Sequence, residues 1–114
     1  MTIIYKICER AAWRDAERAG AYDGSDTDRR DGFIHFSTAA QVAGTAAKHF
    51  AGQADLMLVA VDGDGLGAAL KWEPSRGGEL FPHLYGKLLL AAVAWAKLLP
   101  DEIGGQRILP ELDA

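Results

Sequence analysis

Asp31–Thr38, DGFIHFST, is the stretch whose reading decides the fold. It opens with an Asp-Gly pair that favours a turn. It then runs through apolar residues around a central histidine and ends in two hydroxyl residues. Gly32 to Ser37 reads as a strand. Successive strand side chains alternate, so Phe33, His35 and Ser37 share one face, and Ile34 and Phe36 the other. Thr38-Ala-Ala-Gln41 matches a capping box, in which a hydroxyl bonds a free N–H and the glutamine reaches back. The helix it opens is expected to run to about Phe50, with Val42, Ala46 and Phe50 on one face and Gly52 ending it. DGFIHFST is therefore read as a strand feeding a capped helix.

Upstream, Thr2 to Cys8 is rich in β-branched and aromatic residues and predicts a buried strand. Ala11 to Ala19 predicts a helix, with Ala12, Ala16 and Ala19 at helical spacing and Gly20 as its stop. Ala21 to Arg30 reads as a polar loop, long for a connection. Downstream, Leu56–Asp62, LMLVAVD, predicts a central strand. Gly63, Gly65 and Gly67 punctuate a turn. Leu70 to Glu73 is a short strand stopped by Pro74, and Ser75 to Gly78 is a turn. Phe81–Gly86, FPHLYG, is a second aromatic and histidine cluster. Lys87 to Leu99 fits a helix through Leu88, Ala92, Trp95 and Leu99. It fits a strand equally through Leu89, Ala91, Val93 and Trp95, and periodicity does not separate the two.

The chain has 114 residues, a length that suits a single domain over 1–114 with a core that needs no disulfide or metal. The net charge is -4 and the pI about 5.2. No run is rich in Lys and Arg, which argues against nucleic-acid binding. No N-terminal secretory pattern is present, and the longest apolar run, Leu88 to Ala96, is too short to span a bilayer. A cytoplasmic protein is the expectation. Cys8, the one cysteine, lies in an apolar run and reads as a small buried hydrophobe. GxGxxG, GxxxxGK[ST] and GxSxG motifs are absent, which argues against the common dinucleotide, P-loop and α/β-hydrolase sites.

Three segments concentrate chemistry: DGFIHFST, LKWEPS and FPHLYG. Histidine titrates near neutral pH and serves as acid or base, so His35 and His83 are candidate catalytic residues. The alternative for each is a core histidine bonded to a carbonyl. Glu73, at a strand end, is a candidate to orient a ligand hydroxyl or act as a base; the alternative is an exposed turn carboxylate. Tyr85 is a candidate to donate a hydrogen bond or stack on a ligand. Trp72, flanked by Lys71 and Glu73, is the candidate pocket wall, whereas Trp13 and Trp95 read as core. Ser37 and Thr38, at a helix start, are candidates for binding an anion, with simple capping as the alternative. His49 reads as a surface residue near a helix end. His35, His83 and Glu73 make a two-histidine, one-carboxylate set, but no HxH or HExxH pair accompanies them, and no metal site is assigned.

These motifs also carry a resemblance. IYKI, a helix with a tryptophan, DGFIHFST, LKWE and FPHLYG, in that order over Ile4 to Leu99, resemble the bacterial family called domain of unknown function 952. The resemblance implies an α+β, ADP-ribosyltransferase-like fold. That fold has two small, mainly antiparallel sheets packed at an angle with two or three helices, and a cleft that in related enzymes holds NAD. It also implies strand for Leu88 to Leu98. Enzymes of the histidine-tyrosine-glutamate type place a histidine at the end of the first strand, where this chain has Lys6-Ile7-Cys8. Phe36 stands where a tyrosine often lies, and Glu73 or Glu79 stands in for the glutamate. The function so implied is binding of a nucleotide-like small molecule, NAD or ADP-ribose related, with transferase or hydrolase activity. The alternative is a non-catalytic binding or regulatory module on an inactive scaffold.

Overall fold

Leu56–Asp62 forms β4, buried along nearly its whole length, and the rest of the chain packs around it. A computed structural model describes residues 2–113. β4 lies between β1 (Ile3–Glu9) and β8 (Val93–Leu99), antiparallel to both. Its residues are apolar on both faces because both faces are covered. On one, Met57, Val59 and Val61 join Ile4 and Cys8 of β1 under α1 (Arg10–Ala19), which contributes Trp13 and Ala16. On the other, Leu58 and Ala60 join Ile3, Tyr5 and Ile7 under Val42 and Ala46 of α3 (Val42–His49).

Gly20 ends α1 in the left-handed region, as expected. The segment read as a polar loop is not one. It contains β2 (Ala21–Tyr22), paired with β7 (Leu88–Leu89), and then α2 (Asp26–Asp31). Local hydrogen bonding compensates for the short length of α2. Ser25 Oγ accepts from the Asp28 N–H at 3.1 Å, and Asp28 Oδ2 accepts from the Ser25 N–H at 2.9 Å, a reciprocal capping box.

The second three-stranded sheet is antiparallel, in the order β3 (Ile34–His35), β6 (Leu80–Leu84), β5 (Leu70–Pro74). With the β2–β7 ladder, the described residues hold three small sheets rather than the expected two. β3 is shorter than the expected Gly32–Ser37 strand, because Ser37 leaves β6 and bridges to Tyr5 at the edge of the first sheet. The glutamine half of the expected cap at Thr38 is present: Gln41 Oε1 accepts from the Thr38 N–H at 3.0 Å. The regular helix nevertheless begins only at Val42, and Gln41 Nε2 donates to the Leu80 carbonyl at 2.9 Å. The Gly63–Ala69 segment winds into 3₁₀ turns. The ambiguous Lys87–Leu99 segment resolves as strand at both ends, β7 and β8, with a 3₁₀ turn at Leu90–Ala92 between them. Among the described residues no helix is long and apolar enough to cross a membrane.

Candidate functional site

In β1 the buried face carrying Ile4 and Cys8 also carries Lys6, which is 7% exposed. A buried ammonium requires a partner, and Asp28 of α2 supplies it. Lys6 Nζ lies 2.7 Å from Asp28 Oδ2 and 3.0 Å from Oδ1. Asp28 Oδ1 also accepts from the His35 backbone N–H at 3.1 Å and lies 2.6 Å from His35 Nδ1. Burial works to raise the Asp28 carboxyl. The hydrogen bond from His35, the Lys6 charge and hydrogen bond, and the Ser25 N–H outweigh it and hold the group well below the usual aspartate range. Gly24 makes room for this cluster: a Cβ there would come within 2.8 Å of Asp28 Cβ, and its φ is +100°.

The second nitrogen of His35, Nε2, lies 3.1 Å from Asp31 Oδ2 at the end of α2. Both ring nitrogens thus face carboxylates. A neutral imidazole donates from one nitrogen, and the protonated ring donates from both.

His35 and His83 are register partners across β3 and β6, with ring centroids 5.5 Å apart. His83 Nδ1 lies 2.8 Å from Glu73 Oε1. The Tyr85 hydroxyl donates to the same oxygen at 2.7 Å. Glu73 is held below its ordinary range by the Tyr85 hydroxyl and then by His83, and Tyr85 is raised by Glu73 in return. The Phe33 ring stacks on His83 at 4.0 Å and meets His35 at 4.6 Å and Tyr85 at 5.2 Å. Lys71 Nζ lies 5.8 Å from the Tyr85 ring centroid. His83 is 5% exposed, whereas the His35 side chain is about one-third exposed.

The structure therefore brings His35, His83, Glu73 and Tyr85 together on one face of the second sheet. It separates Trp72 from them. Trp72 pairs with Pro82 and, as the neighbour of Glu73 in β5, points to the opposite face. There it borders a depression of about 230 Å³ with Thr2, Gly63, Asp64, Gly67 and Leu70. A second depression, about 300 Å³, lies between α3 and the C-terminal segment. Neither includes the histidine pair. Ser37 Oγ lies 2.8 Å from Thr45 Oγ1 of α3 rather than at the histidines, and Thr38 offers its N–H to Gln41. Glu79 is exposed, and its side chain makes no hydrogen bond or ion pair among the described residues.

Sequence reasoning missed Asp28, Lys6, Asp31 and Phe33 as parts of this site. For Lys6 a signal existed, a lone charge within a buried strand. For Asp28 the Ser25-x-x-Asp28 spacing was the available clue.

Fold and site together define a small α+β protein of antiparallel sheets, with two histidine–carboxylate pairs on one sheet face. A family model described as "Protein of unknown function (DUF952)" matches residues 7–96, and the chain belongs to that family. The chain is similar to the crystal structure of protein CC0527 from Caulobacter crescentus, at 48% identity and a TM-score of 0.90, covering 94% of each chain. It is also similar to the solution NMR structure of CC0527, at 50% identity and a TM-score of 0.82, covering 92% of this chain and 90% of that one. No curated protein matches the sequence.

Proposed function

We propose that the face carrying His35, His83, Glu73 and Tyr85 binds a nucleotide-like small molecule, NAD or ADP-ribose related, on an ADP-ribosyltransferase-like scaffold. The supporting observation is the pairing of His35 with His83, each bonded through Nδ1 to a different carboxylate. Such a bond fixes the tautomer and directs the other nitrogen elsewhere. Nε2 of His83 makes no hydrogen bond among the described residues and is the atom in this reading that exchanges a proton with the ligand. Glu73 Oε1 is occupied by His83 and Tyr85. Its Oε2 is the oxygen that stabilises positive charge developing at a ribose carbon in a transferase or hydrolase reaction. Phe33 and Tyr85 supply flat surface for a base or nicotinamide ring.

Calorimetry and thermal-shift measurements with NAD, ADP-ribose and mononucleotides test this reading. Millimolar or tighter binding that is lost in folded His35→Ala and His83→Ala variants is the expected result. No binding by any of these ligands at millimolar concentration overturns it.

The near-complete cover over His83 favours a second reading, a binding or regulatory module without turnover. In that case the ligand binds and is recovered intact by mass spectrometry.

A further inference from the structure

Arg76 lies in the turn between β5 and β6 and forms no ion pair among the described residues. Its guanidinium carbon sits 4.9 Å from the Phe81 ring centroid. Phe81 pairs with Glu73 and stands two residues from His83 in β6, so it belongs to the same sheet face as the histidine pair. Nη1 of Arg76 reaches Thr45 Oγ1 at 3.4 Å, and that hydroxyl is bonded to Ser37 Oγ, which is 5% exposed. Gly44 lets the guanidinium lie against α3, since a Cβ there would come within 3.0 Å of Nη2. The arginine is thus held by an aromatic face, a threonine and a close backbone, with donors left for a ligand.

Basic groups lie on α3 near this turn, while Glu73, the register partner of Phe81, puts a carboxylate on the same face. Lys48 and His49 lie in the last turn of α3. His49 is held below its ordinary range, by partial burial first and then by Lys48, Arg76 and His35. Basic groups from α3, β3 and this turn thus act on one another in a chain that is acidic overall.

We propose that Arg76, with the Thr45 and Ser37 hydroxyls, is the phosphate-recognising end of the ligand site. An arginine fork with adjacent hydroxyls matches the oxygens of a phosphate or diphosphate group. Tyr85 and Phe33 lie toward the other end of the same face, with the histidines between. A ligand with a ring at one end and a diphosphate at the other fits that order. This subsite rests on the reading of the face as a nucleotide site, and it commits that reading to a phosphorylated ligand rather than a nucleoside.

The test is calorimetry with inorganic pyrophosphate, ADP-ribose and adenosine, on the wild type and on Arg76→Gln and Thr45→Val, with circular dichroism and melting curves to establish folding. Wild-type protein is expected to bind pyrophosphate, more weakly as salt is added. Arg76→Gln should weaken pyrophosphate and ADP-ribose about tenfold or more, as for loss of a charge-assisted contact, and leave adenosine unchanged. Thr45→Val should weaken both phosphorylated ligands by a smaller factor, and it carries the test if Arg76→Gln fails to fold. ADP-ribose binding that is equal in wild type and Arg76→Gln overturns the subsite and leaves the nucleotide reading standing. Pyrophosphate binding that depends on Arg76, with no nucleotide bound at all, supports the subsite and overturns the nucleotide reading. No binding of pyrophosphate or ADP-ribose to the wild type overturns both.

Discussion

Lys6 and His35 lie 29 residues apart in the chain and share one carboxylate, that of Asp28, which is 2% exposed. This places an edge strand of the first sheet, the α2 helix and a histidine of the candidate site on one buried group. The bonds it makes determine how each neighbour behaves when one of them is changed.

Asp28→Asn is expected to destabilise the protein by about 3–5 kcal/mol. The substitution leaves the Lys6 ammonium buried without its counter-charge, and breaking a buried pair from one side carries that cost. Urea denaturation at neutral pH measures it. A loss below about 1 kcal/mol would show that Lys6 finds water or another partner.

The same group sets an acid limb. The folded Asp28 carboxyl titrates below its ordinary value near 3.8. Its stabilisation is therefore fully present above that value and is lost as pH falls from there toward the depressed folded value. Wild-type stability should decline below about pH 4, and the Asp28→Asn variant should show a shallower decline over the same range. Parallel limbs in the two proteins would count against the assignment.

Glu73 and Tyr85 give a spectroscopic readout. Tyr85 is raised above its ordinary value of 10.0, chiefly by the hydrogen bond its hydroxyl donates to the Glu73 carboxylate. Glu73→Gln should move the Tyr85 titration down toward that value, read from phenolate absorbance with Tyr85→Phe as the subtraction control. An unchanged curve would show that the hydrogen bond does not persist in solution.

Cys8 is expected to be inert while the protein is folded. Burial, opposed in part by the Lys6 charge, pushes its thiol up to about 12. Disulfide-exchange reagents should modify it only after addition of denaturant. Modification at the rate of a free thiol under native conditions would contradict the packing of β1 against α1.

His83→Ala is expected to lower stability by about 1–3 kcal/mol through the lost Glu73 bond and Phe33 stack. Glu73→Gln, at a partly exposed position, should cost less. The contrast in melting temperature tests whether His83 is as covered as its packing indicates.

Much of the fold was legible because it follows from local periodicity and turn chemistry. β1, β4 and β5 and the helix α1 are where apolar runs, Pro74, alanine content and Gly20 place them, whereas β6 lies in a segment read only as an aromatic and histidine cluster. The alternation that puts Trp72 opposite Glu73 was also present in the sequence, since neighbours in a strand face opposite ways. The cleft expected to contain both residues did not respect it. The Lys87–Leu99 segment defeated periodicity because a 3₁₀ turn interrupts two strands. Family resemblance, rather than pattern, identified its strands.

The sequence by itself determined β1, β4 and β5, the helices α1 and α3, and the burial of Cys8, since each depends on residues adjacent in the chain. Only the tertiary structure decided that Asp28 belongs with Lys6 and His35, that His83 leans on Glu73, and that Arg76 crosses to Thr45. Those contacts join segments whose side-chain chemistry is ordinary in isolation. Their pairing follows from the sheet register and from the cost of leaving a buried charge without a partner.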